Sequence, residues 1–183
     1  DPLKPRHGRS TIHVAHDNAG RIDFSQILTY FYEDTTEKND YYQRAKNDDD
    51  FIPREQDVLG GNMQTFLNKE KNIVNGKKVR PKVVHVDISY ESNPRFIIFS
   101  WLIQWSGKES DSESGMHAYE SSVDPAVLEY NVQSYYHFPD NAKIMNITSS
   151  LAHEVIEDHI IIYKASKGDK VRSSEKIKWM IES

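Results

Sequence analysis

The side chains best equipped for chemistry lie in the second half of the chain: His85 with Asp87, His117 with Glu120, and a cluster of His153, Glu154, Glu157, Asp158 and His159. Imidazole and carboxylate groups carried on neighbouring strands are the donor set of zinc and iron sites, and near neutral pH the same groups exchange protons. This pattern points to a divalent metal held by His85, Asp87, His117, Glu120, His153 and His159, or to an acid/base enzyme built on the same residues. A plainer reading stands beside it. His85 and Asp87 take the polar positions of an alternating strand, and the charges at 157–159 precede Ile160-Ile161-Ile162, where they would guard an apolar strand against edge pairing.

Other motifs fall short of a defined chemistry. His13 and His16 share a face only on a helix, and residues 10–14 read as extended, so the two rings should diverge. Asp17 to Gln26 resembles a calcium loop at Gly20, Ile22 and Asp23, but it has alanine at two ligand positions and Gln26 where a bidentate glutamate is needed. Asp17-Asn18-Ala19-Gly20 is better explained as a turn, and Asp48-Asp49-Asp50 as a solvated loop. Gly60-Gly61 lacks the lysine of a phosphate loop, and no G-x-S-x-G elbow occurs. With no cysteine in the chain, disulfides, thiolate metal sites and cysteine nucleophiles are excluded. Aromatic residues offer a different role. Tyr135 and His137 fall on the more polar side of a strand and are candidate binding residues, whereas Trp101 and Trp105 alternate with aliphatics and belong to the core.

The elements that must position these groups change rhythm near residue 80. Phe24, Ile27, Leu28, Phe31 and Tyr32 recur at helical spacing after Asp23, which with Gln26 has the types of a capping box, so a helix is expected there. A short helix around 41–45 and another after Gly60-Gly61, carrying Met63, Phe66 and Leu67, should follow before a turn at Asn75-Gly76. From Pro81 the period is two. Val84, Val86, Ile88 and Tyr90 alternate with polar residues, and residues 95–105 are apolar on both sides, as in a central strand covered on both faces. Further strands are expected at 116–121, 127–138, 143–148, 155–165 and 176–181, with a mobile serine-rich and acidic loop at 108–115. The expected fold is α+β: N-terminal helices packed on a mainly antiparallel curved sheet or β-sandwich. A single domain covers 1–183, with a helical or irregular part at 1–76 and a β-rich part at 77–183.

Composition bounds the function. The chain of 183 residues has 37% hydrophobic and 28% charged residues, the balance of a folded globular protein. A net charge of −5 supplies no global field for a phosphate backbone, so nucleic acid is not an expected partner. The longest apolar run, at 96–105, is about half of a membrane span and is interrupted by Ser100 and Gln104. The sequon Asn146-Ile147-Thr148 and an opening Asp1-Pro2-Leu3 lean toward a secreted or extracytoplasmic setting. In the absence of a nucleophile, cofactor cradle or compact ligand motif, the leading expectation is a non-enzymatic binding or assembly module acting through a β-sheet surface. Its partners would be a protein or carbohydrate, or further copies of itself through strands such as Ile160 to Tyr163. The alternatives are the metal-dependent or acid/base enzyme and a carrier of small apolar ligands between helices and sheet.

Overall fold

Residues 3–34 form two long strands. The computed structural model describes residues 1–172 and 174–183. In chain order the elements are β1 (Leu3–His16), β2 (Arg21–Asp34), α1 (Asp40–Asn47), α2 (Phe51–Lys69), β3 (Lys71–Val74), β4 (Lys77–Val79), β5 (Lys82–Tyr90) and β6 (Phe96–Lys108). A single 3-10 turn at Glu109–Asp111 leads to β7 (His117–Ser122), β8 (Ala126–Val127), β9 (Asn131–His137), β10 (Ala142–Thr148), β11 (Ala152–Ile156), β12 (Ile160–Ala165), β13 (Lys170–Val171) and β14 (Ser174–Ile181). The result is a mixed α+β arrangement dominated by strands. Among the described residues no helix is long and apolar enough to cross a membrane.

A seven-stranded sheet runs in the order β11-β12-β9-β1-β2-β6-β5, a five-stranded sheet in the order β10-β14-β7-β3-β4, and β13 pairs with β8 as a short ribbon. Pairing is antiparallel except between β1 and β9, which run parallel from His7 opposite Asn131 to His13 opposite His137.

The helix expected after Asp23 is strand β2, locked to β1 and β6 along its whole length. Its apolar residues sit on both faces: Phe24, Leu28, Tyr30 and Tyr32 share one side with Ile22, while Ile27 and Phe31 take the other. Superposed, two strand faces mimic helical spacing. Asp23 pairs with Arg21, and Gln26 donates to Ser10 Oγ, so neither caps a helix. The strand expected at 155–165 is a hairpin, because Glu157 and Asp158 both adopt positive φ (52° and 62°) and turn β11 back into β12. At Val84 a bulge interrupts the alternation, and the side chain points to solvent. The helices at 41–45 and beyond Gly60 are present, the second beginning earlier, at Phe51.

Residues 96–105 carry the expected core. Ile97, Phe99, Trp101, Ile103 and Trp105 are buried, whereas the opposite face of β6 is only partly covered. The inner side of the seven-stranded sheet meets the helices at one end and the five-stranded sheet at the other. Trp101 Nε1 donates to the Leu59 carbonyl of α2 (3.1 Å), and Tyr41 of α1 packs edge-on to Phe99. Between the sheets, Phe24 stacks on Trp105 (5.2 Å), touches Tyr119 (5.1 Å) and meets Trp179 edge-on, while Phe138 packs on Trp179 at 4.9 Å.

Two side chains of α2 close the β5 edge. Gln56 Nε2 donates to the Val86 carbonyl; Gln64 Oε1 accepts from Val83 N–H while its Nε2 donates to the Pro81 carbonyl. An edge so occupied has fewer free groups to template another strand.

Gly107 on β6 lets the β3–β4 hairpin approach. A Cβ there would overlap Val74 Cγ1 and stand 2.7 Å from Val74 Cβ, and Val74 is itself fully buried. Gly107→Ala is therefore expected to destabilise by about 2 kcal/mol, the cost of overpacking a filled site. Urea unfolding of the two proteins checks this, and a variant within 0.5 kcal/mol (roughly the scale of an ordinary surface change) would show that Val74 yields freely.

Candidate functional site

Register across the seven-stranded sheet decides which side chains meet on its outer face. One row crosses all seven strands: Glu154, Ile162, Tyr135, Thr11, Ile27, Leu102 and His85 stand directly opposite one another in turn. Six gaps at the usual strand spacing make the face roughly 29 Å wide. Ile27 is 49% exposed and its partner Leu102 36%, so the middle of this row is an apolar strip in contact with water. Neighbouring rows add Phe31 opposite His7 and Ile98, with the His7 and Phe31 rings stacked at 4.1 Å, and His13 beside His137 with ring centroids 5.2 Å apart. Polar groups border the strip, Arg9, Gln133 and Lys164 on one row with Thr29, Ser100 and Asp87.

Tyr135 and His137, the candidate binding residues, both lie on this face. His85 and Asp87 join them from β5, as their shared strand side requires. The remaining metal candidates fall elsewhere. His117 points inward from β7, whereas Glu120, three residues on, faces outward from the five-stranded sheet opposite Ile73 and Lys176. His153 sits on β11, opposite Tyr163, at the far edge from β5, and its Nδ1 lies 3.0 Å from the Leu151 carbonyl. His159 Nδ1 lies against the Glu157 carbonyl, with Asp140 3.5 Å from its Nε2. The six residues do not converge, because they are spread over two sheets and both edges of the wider one. Among the described residues no group of three or more His, Asp or Glu side chains is placed to hold a metal ion. Ile160 to Tyr163 lies on β12, which is paired on both sides by β11 and β9, so it has no edge to offer a second subunit.

A second constellation joins residues far apart in sequence. His16, at the end of β1, accepts a hydrogen bond at Nε2 from Trp179 Nε1–H (3.0 Å). The indole can only donate, so the His16 proton resides on Nδ1, which donates to Glu109 Oε1 at 2.6 Å. Beside it His117, 5% exposed, packs with ring centroids 4.9 Å from His16 and 5.7 Å from Trp179. Asn75 holds His117. Its Oδ1 accepts from Ala118 N–H (2.8 Å) and its Nδ2 donates to the Lys108 carbonyl (2.9 Å), which fixes the amide orientation and leaves Nδ2 to donate to His117 Nδ1 (3.2 Å). The imidazole is thereby kept neutral with its proton on Nε2. Burial pushes the His117 pKa down and the nearby His16 adds to that, while Glu109 works against both.

Local sequence explains how these groups arrive. Asp17 closes the β1–β2 turn, its Oδ1 accepting from Ala19 and Arg21 N–H. Asn75-Gly76, both at positive φ (48° and 78°), make the tight β3–β4 turn that presents the Asn75 amide. His13 and His16 diverge as a strand demands. Nothing in the spacing signals the pairing of His16 with Glu109, 93 residues away, or with Trp179, 163 away.

Comparison with protein-family models and with curated proteins finds no match. Among solved structures the chain is similar to a provisionally named nutrient-binding protein of Legionella pneumophila, at 8% identity and a TM-score of 0.42, over 98% of this chain and 67% of that one.

Proposed function

We propose that the protein is a non-enzymatic binding and assembly module, and that the occupant of its outer sheet face is a second copy of the chain. The supporting observation is the seven-residue row. Rotation by 180° about an axis along β1 lays Glu154 over His85, Ile162 over Leu102 and Tyr135 over Ile27, with Thr11 meeting its own copy. A carboxylate faces an imidazole at each rim and mainly apolar groups stand between them, the layout of a self-complementary two-fold interface. A face roughly 29 Å wide by strand spacing is of the size that supplies the ~800 Å² each partner gives to a standard interface. The same reading takes the chain as one domain, in which the seven- and five-stranded sheets form a sandwich capped at one end by α1 and α2.

Sedimentation velocity across a concentration series tests the proposal. The expected result is a monomer–dimer equilibrium with a dissociation constant on the order of micromolar. Ile27→Lys should shift it to monomer while leaving the unfolding midpoint unchanged at concentrations well below the dissociation constant, where both proteins are monomeric and this side chain already faces water. A wild-type chain that stays monomeric at about 100 μM would overturn the reading.

A further inference from the structure

We propose that the cleft at the tip of the β1–β2 hairpin binds a small zwitterion carrying both a carboxylate and an ammonium group, the chemical class of the free amino acids. The cleft has a volume of about 740 Å³ and is bounded by the hairpin turn, the 3-10 turn after β6 and the start of β7. A ligand with a few polar groups fits a space of that size.

Two unpartnered polar groups of opposite character line it. His117 is nine-tenths buried, its Nδ1 is taken by Asn75, and its Nε2–H has no acceptor among the described residues. An N–H donor without a protein acceptor, on a residue that lines a cleft, can be met by an acidic oxygen. Lys108, Ser110 and Ser112 also line the cleft, and Lys108 has no carboxylate within salt-bridge distance among the described residues. Together these suit a carboxylate. Glu109 supplies the counterpart: Oε1 is held by His16, and Oε2, 4.0 Å from where a Gly20 Cβ would lie, has no partner among the described residues. The other carboxylate of the cleft, Asp17, is engaged by backbone N–H groups and by Arg21. Lys108 and Arg21 against Asp17 and Glu109 leave the cleft formally neutral. A neutral cleft with a free donor and a free carboxylate oxygen favours a molecule with one charge of each sign over a simple anion or amine.

The site is independent of the outer sheet face, so it stands or falls separately from dimerisation. Nuclear magnetic resonance titration of the histidine ring protons, with the His117 signal assigned by its loss in His117→Gln, follows binding of glycine, alanine, glutamate and lysine in turn. Acetate and ethylamine serve as single-charge controls. The expected result is a saturable shift of His117 with at least one amino acid, tighter by tenfold or more (roughly the value of one charge-assisted hydrogen bond) than either control. Glu109→Gln should weaken it by a similar factor. Lys108→Glu, a substitution at an exposed position, should also weaken it and keeps the test open if Glu109→Gln disturbs folding. No shift with any of the four at about 10 mM, or acetate binding as well as the best amino acid, would overturn the proposal.

Discussion

Trp179→Ala is expected to lower the unfolding free energy by about 4 kcal/mol, the upper part of the range for truncating a buried aromatic. The indole is fully buried and fills the space between the two sheets, touching Phe24, Phe138, His16 and His117. Alanine leaves a cavity that neighbouring strands, tied into the two sheets, cannot fully collapse to fill. It also strips the donor from His16 Nε2 and so frees the tautomer that binds Glu109. Trp179→Phe keeps most of the packing and loses only that hydrogen bond, so it should cost about 1–2 kcal/mol. Urea denaturation of the three proteins separates the contributions. A loss below 1 kcal/mol (roughly an average substitution) in the alanine variant would mean that the sheets do not rely on this wedge.

Asp34 is the second large effect. The residue ends β2 almost wholly buried, and its carboxylate accepts from Thr36 N–H (2.9 Å), Thr36 Oγ1–H (2.7 Å) and, through Oδ2, Tyr41 N–H in the first turn of α1 (2.9 Å). No side chain on α1 itself caps that helix; Asp34 does so from the end of β2, together with Thr36, whose Oγ1 accepts from Asp40 N–H. Burial alone would raise the Asp34 pKa. The hydrogen bonds from Thr36 and Tyr41, with the Arg95 charge, outweigh it and hold the group below the usual carboxylate value. A depressed folded pKa contributes stability that is complete above the unfolded value near 3.9 and is lost as the pH falls through the folded one. Asp34→Ala should therefore cost about 3 kcal/mol at pH 7 by orphaning buried N–H groups, and less at acid pH. Unfolding measured at pH 7 and near pH 3 checks both statements. An equal loss at the two pH values would rule out the ionised cap.

The core of the sheet was readable because one face of β6 is strictly apolar over five alternating positions, from Ile97 to Trp105. Residues 24–32 misled for a related reason. Exposed Ile27 and partly buried Phe31 on the outer side add apolar positions to those of the inner side, and the sum has helical spacing. The feature that disguised the strand is thus the strip proposed as the interface. Tyr135 and His137 were legible as outward-facing, since a half-exposed strand writes its polar side into the sequence. The cleft was not. His117, Asn75, Glu109, His16 and Trp179 come from five separate segments, and only the pairing of strands from two sheets brings them together. Likewise, His85 and His153 share a residue type and a sheet, but spacing along the chain carries no information about strand order, which sets them at opposite edges.

The parallel pairing of β1 with β9 has a consequence for synthesis. During translation the β1–β2 hairpin emerges well before β9, so one flank of β1 waits until residues 131–137 have left the ribosome before it is satisfied. At roughly 5–20 residues per second that interval lasts several seconds. Throughout it, the chain displays an open strand edge next to the apolar strip on β2, and the sheet is completed only by closure over a long stretch of chain.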